Sequence, residues 1–467
     1  MMITTTEQLE SYLVTFGDFR KQASGRNLGW LRKLREDAFA RFCEVGFPTT
    51  RDEDWRFTNV AAIAKAEFRL PNASEKLVTA AEIEAHCIAG SVCRLVFVNG
   101  QFSPQLSSLG NLPAGVEVNS LGLQIEKDPS SVERHLGRYL NIQRDAFSAL
   151  NTAFAADGGY VYVARRTVLE NPIHLLFVSK GDSSSRSSLM SHPRNLIVAE
   201  AESELTLVED YISLDEDVSF CNTATELVVG DSAVVSHYML ERENRKALNI
   251  STLRLQQGRG ANVSSHSVLL GGALVRNNVH PVLAGEGGEC LINGLFAGTG
   301  DQHLDNYMLV EHASPHCASR QFYNGILNDH AHGVFHGRII VHKDAQKTDA
   351  KQTNRNLLLS DDARIDTKPQ LEIYADDVKC THGATIGQID EGALFYLRSR
   401  GIEEASARKL LLGAFADECL DRMKPGPART QVEALIDQSL SSFLKNPKAA
   451  PVPHVAGERE MNWEEVG

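Results

Sequence analysis

Residues 226–270 read ELVVGDSAVVSHYMLERENRKALNISTLRLQQGRGANVSSHSVLL. Short runs of β-branched and apolar residues alternate here with Gly, Asp, Asn and Ser, as in strands joined by tight turns. Gly-Asp-Ser-Ala at 230–233 is answered by Gly-Arg-Gly-Ala at 258–261 and by Glu-Gly-Gly-Glu at 286–289. Ala233, Ala261, Glu289 and Cys317 thus open strands at a step of 28 residues. A fixed strand–turn period with no helical stretch inside it predicts a mainly β solenoid. Each coil of such a stack buries its apolar face on the next. A β-sandwich also yields many short strands, but the period favours coils. The repeat loosens after Cys317, at Asp361-Asp362-Ala363 and Asp376-Asp377-Val378.

Outward from this stretch, β texture begins at Arg94–Val98 and dominates from about Gly159 to Leu397. Helical spacing appears at both ends of the chain. Leu9, Tyr12, Leu13 and Phe16 form one apolar stripe, and Leu31, Leu34, Ala38 and Phe42 another, with Gly46 and Pro48 as a stop. Gly46–Thr58 reads as a packed connection that docks these helices on the rest. After Gly401, Leu412, Phe415, Cys419 and Met423 share a helical face, and Glu403 and Glu404 suit the first turn. Pro425-Gly426-Pro427 breaks that helix, and a second runs through Val432, Ile436, Leu440 and Phe443. The expected division is a helical region at 1–90, a solenoid with connecting segments at 91–400, a helical region at 401–445 and a flexible tail at 446–467. Bare strand edges pair promiscuously, so the terminal helices are the expected covers for the two ends of the stack.

Composition narrows the function classes. The 467 residues are 42% apolar and 23% charged, as in globular domains. No run approaches the apolar length of a membrane span, and MMITTTEQLESYL has no pattern of a leader. A net charge of −13 disfavours nucleic acid and anionic membrane as partners. Eight scattered cysteines suggest reduced thiols and a cytoplasmic location. No phosphate-binding GxxxxGK[ST] loop, nucleophile elbow or Cys-x-x-Cys is present.

Two groups of residues carry metal-competent chemistry. Val378-Lys379-Cys380-Thr381-His382 reads as a strand closed by Gly383, and positions two apart point to one side. Cys380 and His382 would therefore share a face. A soft thiolate beside an imidazole suits zinc, copper(I) or iron–sulfur chemistry, yet two ligands do not close a site and need help from elsewhere. The other cysteines (43, 87, 93, 221, 290, 317 and 419) stand alone and read as small apolar residues. Histidines also crowd between 303 and 342. His330, His332 and His336 would share a strand face if the strand is unbroken, which invites a cupin-like metalloenzyme. The spacing from Gly325 to His330 and the absence of a glutamate at 336 or 337 depart from that pattern, so ladder and turn roles are expected for these rings.

Several blocks, in order, carry a resemblance. They are Gln352-Thr353-Asn354-Arg355-Asn356-Leu357-Leu358-Leu359-Ser360, Lys368-Pro369-Gln370-Leu371-Glu372-Ile373, residues 376–387 (DDVKCTHGATIG) and Leu394-Phe395-Tyr396-Leu397-Arg398-Ser399-Arg400-Gly401. With 46–58 and 149–154 upstream, they resemble the SufD branch of the SufB/SufD family over about residues 45–423. The resemblance implies a right-handed parallel β-helix flanked by helical regions. It also implies a non-enzymatic subunit of an iron–sulfur cluster assembly scaffold, with SufB and the ATPase SufC as partners and a homodimer left open for the isolated chain. ATP would be bound by SufC and not by this chain, and the cluster would be transient. His382, with Cys380 beside it, would lie where the β-helix end meets SufB. The C-terminal helices, through Arg400, Gly401, Leu412, Phe415 and Cys419, would dock on SufC. SufB-like chains carry a cysteine where Asn354 stands and His-Glu-Ala-Thr where this chain has His382-Gly383-Ala384-Thr385, so the SufD side is favoured.

Overall fold

A parallel strand satisfies its peptide groups only by pairing along both edges, so coils of similar length stack until something stops them. In the computed structural model, which describes residues 6–72, 78–181 and 187–443, strands from Arg194 to Gly387 form about seven such coils. Successive strands go alternately to two facing parallel sheets. One runs from Arg194–Ala199 to Arg364–Ile373, and the other from Glu204–Ser213 to Lys379–Gly387.

The register gives the true period. Val234 lies beside Asn262, Asn262 beside Glu289, Glu289 beside Ala318, Ala318 beside Asp349 and Asp349 beside Lys379, steps of 28, 27, 29, 31 and 30 residues. The constant step expected from sequence therefore slips by one at its third repeat. The buried small residue next to Ala261 is Gly288, and Glu289 is exposed on the strand that follows. Pairing also lapses where Pro281, lacking an N–H, faces the next coil.

Inward side chains stack in files along the axis. One file runs Leu205, Val235, Val263, Cys290, Ser319, Ala350 and Cys380. Its members down to Ala350 are buried in the main apolar core. Close packing fixes residue size from coil to coil: a Cβ on Gly294 would lie 2.1 Å from the Tyr323 ring on the next coil.

The helices cover the two outer faces of this stack, not its ends as expected from sequence. Thr6–Gln22, Gly29–Val45 and Ala146–Phe154 form an aromatic cluster that packs on Phe220, Leu248, Ile250 and Leu274 of the first sheet. Phe16 stacks on Phe39 at 4.1 Å, and Phe154 meets both edge-on. Tyr12 and Phe16 face inward as expected, but Leu13 is exposed, and the side chain of Leu9 lies outside the described residues. Gly46–Thr58 is the packed connection foreseen: Trp55 lies under the Arg276 guanidinium at 3.9 Å, Thr58 donates to Asp305, and Glu53 pairs with Lys368.

On the opposite side, Glu404–Leu420 and Pro427–Phe443 pack on the second sheet. Leu412, Cys419, Met423, Val432, Ile436, Leu440 and Phe443 form the buried stripe read from sequence. Helix also occurs where strands were expected. Asp390 accepts from the backbone of Gly392 and Ala393 and caps a helix over Glu391–Ser399, so strand ends at Gly387 and not near Leu397. The segment 446–467, expected to be a flexible tail, lies outside the described residues. None of the described helices is long and apolar enough to cross a membrane.

The two ends of the stack differ. At the beginning, each sheet ends in a short antiparallel strand, Val116–Ser120 on one and Gln101–Phe102 on the other. At the far end, Arg364–Ile373 and Lys379–Gly387 have a partner on one side only, and none of their residues is fully buried.

Burial holds the imidazoles of His192, His266 and His280 down at about 3. The unfolded chain takes up protons on these rings below about 6.5, whereas the native chain does so only near the lowered values. Stability is therefore full above pH 6.5 and is lost as pH falls through that window. The urea midpoint is expected to drop between pH 7 and pH 5, and His280→Leu to lower the slope by about one proton. A midpoint that stays flat over this range contradicts the assignment.

Candidate functional site

The strand Lys379–Gly387 owes its position to Asp349–Leu358, its only paired neighbour among the described residues. Gly383 does not close it, as the sequence suggested. The strand continues through Gly383, where an added Cβ would meet nothing within 4 Å. Cys380 lies beside Ala350 and His382 beside Gln352, both of which are buried and point into the solenoid. Thiol and imidazole thus share the inward face of the last coil, as their spacing required. Because no coil follows, that face is open to solvent.

The two groups differ in environment. Cys380 is half-buried and packs against the end of the axial core. Burial pushes its thiol above the ordinary range, and the Asp349 carboxylate adds to the rise. His382 is exposed and makes no hydrogen bond or ion pair among the described residues. Among those residues no three His, Cys, Asp or Glu side chains gather as a metal site. The pair thus stands alone on an open rim, two donor groups where a closed metal site takes about four.

The crowded histidines do not form the trio that a cupin-like reading needs. His332 and His336 lie on the outer side of the strand His332–Val341, but His330 sits in the preceding turn and faces Asp362 at 3.6 Å. His332 contacts Asp366 at 2.7 Å and His303 at 3.1 Å, while His336 contacts Gln370 at 2.8 Å. His303 in turn meets Thr58 at 2.9 Å, so these rings help seat the N-terminal connection.

A second constellation escaped the sequence reading. Glu209 contacts His237 Nε2 at 3.2 Å, and His237 Nδ1 contacts Ser265 Oγ at 3.0 Å. This is the connectivity of a carboxylate–imidazole–hydroxyl relay. All three residues are buried inside the solenoid, beside a void of about 10 Å³. That void has room for a single water and none for a substrate. Tyr211 and Thr225 also donate to Glu209, so its carboxylate is held by hydrogen bonds as a structural centre. Register spacing near 28 residues links His237 to Ser265 and was the signal available in the sequence.

The C-terminal candidates divide by burial. Leu412 and Cys419 are buried against the second sheet, and the Cys419 thiol donates to Gly294 O at 3.2 Å. They hold the helix to its own chain and cannot touch another protein. Phe415 is half-buried under Arg355. Asn293 and Asn324 donate to Cys419 O and Phe415 O, fastening the same helix. Arg400 and Gly401 are exposed. The large apolar side chains facing solvent nearby were not singled out from sequence. Phe395 is 74% exposed, Tyr396 56% and Leu410 55%, with Tyr374 at 62% and Ile386 at 52% on the last coil. A helix cap at Asp390 was the sequence signal that would have placed Phe395 and Tyr396 on a helix.

With its thiol raised by burial, Cys380 is expected to be alkylated slowly at pH 7.5 by iodoacetamide, several-fold more slowly than a free cysteine. Mass spectrometry after timed labelling measures this, and labelling at the free-thiol rate would contradict the geometry.

Two family models cover this fold in sequence. Residues 6–175 match the SufBD protein N-terminal region, and residues 180–415 match the SufBD core domain of SUF system FeS cluster assembly. An iron–sulfur cluster assembly SufBD family protein of Synechocystis is 34% identical, over 86% of this chain and 89% of its own length. The iron–sulfur cluster assembly protein SufD of Escherichia coli is 33% identical, over 85% of this chain and 90% of its own. SufD of Bacillus subtilis is 25% identical over 92% of this chain and 98% of its own. The chain belongs to the SufB/SufD family of iron–sulfur cluster assembly proteins, on its SufD side.

Proposed function

We propose that this chain is a non-catalytic scaffold subunit of a Suf assembly complex that supplies half of a shared cradle for a nascent iron–sulfur cluster. The observation that carries this reading is the last coil. Cys380 and His382 stand on the inward face of an uncovered end whose strand edges are unpaired. A thiol and an imidazole are suitable iron ligands, but a cluster needs more than two, and the remaining ligands come from the polypeptide that covers the end. The partner is the paralogue SufB, adding its strands to the open edges by the β-augmentation mode. The cluster is cargo, passed on after assembly.

The C-terminal helical region docks the ATPase SufC. Phe395, Tyr396 and Leu410 supply its apolar contacts, and Arg400 and Gly401 lie in the same helical hairpin. Leu412 and Cys419 support that surface from beneath. ATP is bound by SufC. Nucleotide-driven movement of SufC would reach the rim through the turn at residues 388–390, which joins the last strand directly to the helix at Glu391.

His382→Ala in the co-expressed complex is expected to lower the iron and sulfide content of the purified assembly several-fold while the complex still forms. Unchanged content removes His382 from the cradle. Phe395→Asp is expected to weaken co-purification with SufC at least tenfold and to leave the melting temperature of this chain unchanged, because the ring lies in solvent. Retention of SufC at the original level refutes the docking surface.

A further inference from the structure

His382 ends an inward file in which Gln321, Gln352 and His382 occupy the same position on successive coils. Gln352 Nε2 donates to Gln321 Oε1 at 2.7 Å, and both side chains are buried. The amides reach across the solenoid axis to Gly337 on the opposite sheet. A Cβ there would lie 2.0 Å from Gln352 Nε2 and 3.0 Å from Gln321 Oε1. Glycine inside a paired strand weakens it and marks a place where another group comes close. The space at Gly337 is occupied by these two amides.

The polarity of the pair leaves two atoms over: Gln321 Nε2 and Gln352 Oε1 are both buried without a partner among the described residues. With Nε2 committed to Gln321, the Gln352 carbonyl Oε1 is buried and has no donor. Buried acceptors without donors are costly and uncommon. The next residue in the file is His382, an exposed imidazole that also lacks a partner among the described residues.

We propose that Gln352 is a positioning residue for His382: its Oε1 takes the N–H of one ring nitrogen and leaves the other nitrogen, lone pair free, turned to the open end. A neutral histidine ligates metal through one nitrogen, and the hydrogen bond at the other fixes which one. Gln321 acts one step further back by fixing the direction of the Gln352 amide. This proposal rests on the reading that His382 belongs to the assembly site.

Nitrogen-15 NMR of the full chain carrying labelled histidine tests it without any cluster, with the His382 signals assigned by their loss in His382→Gln. One tautomer of His382 should dominate in the native chain. In Gln352→Leu the ratio should relax to that of an unconstrained histidine side chain, and in Gln352→Glu, which keeps an acceptor oxygen at the same place, one tautomer should still dominate. Gln370→Ala, which frees His336 on the outer face of the first sheet, should leave His382 as it was. Should Gln352→Leu fail to fold, Gln352→Asn withdraws the same amide by one methylene and is read in the same way. A tautomer ratio unchanged in folded Gln352→Leu or Gln352→Asn overturns the proposal. Intact cluster assembly in His382→Ala would remove the scaffold reading and would not alter the tautomer result.

Discussion

Parallel pairing between coils is the interaction on which everything else in this chain depends. A central strand in such a stack both donates to and accepts from the coil before and the coil after, so its peptide groups are paired on both edges except where Pro281 interrupts the ladder. The last coil breaks that symmetry by necessity. Arg364–Ile373 and Lys379–Gly387 have a neighbour on one side alone. Cys380 and His382 lie on this same coil, where inward-facing side chains meet solvent.

The helical layers follow from the same constraint. A two-sheet solenoid fills its interior with one set of side chains and leaves a second set on each outer face. In this chain those outer faces carry Phe220, Leu248 and Ile250 on one side and Tyr238, Leu295 and Ile326 on the other. Full burial of such a side chain contributes roughly 1.5–3 kcal/mol, so each face needs a cover. The N-terminal helices take the first, helped by Trp55 beneath Arg276, and the C-terminal helices take the second. Both covers lie on the outer faces, and among the described residues neither covers the inward face of the last coil, where His382 is exposed and Cys380 half-buried.

Much of this was legible before any coordinates. Alternation and period gave the coils, because side-chain direction in a strand is fixed by parity and each repeat must match its neighbour. Parity also put Cys380 and His382 on one face. The errors are instructive in physical terms. A turn shorter by one residue moved the small position from Glu289 to Gly288, and spacing alone cannot see a turn adjust its length. Leu394-Phe395-Tyr396-Leu397 is as apolar as a strand, and the cap at Asp390 decides for helix. Leu412 and Cys419 lie on a true apolar stripe, but a stripe does not reveal whether it packs on its own chain or on another. His330 was placed on a strand by counting, and the turn before His332 removed it. The Glu209–His237–Ser265 chain joins different coils, and only the spacing of 28 residues between its members pointed to it.

The unlike ends of the solenoid limit how it can assemble. At the beginning each sheet ends in a short antiparallel strand, so the edge offered there differs in length and direction from the parallel edge at the rim. Head-to-tail growth into a filament is thereby disfavoured, although a parallel stack of coils is by nature a polymerising template. A rim facing a like or related rim would instead pair edge with edge. Such a union closes on itself and ends at two, with whatever is built between the rims enclosed at the middle of a continuous double-length cylinder.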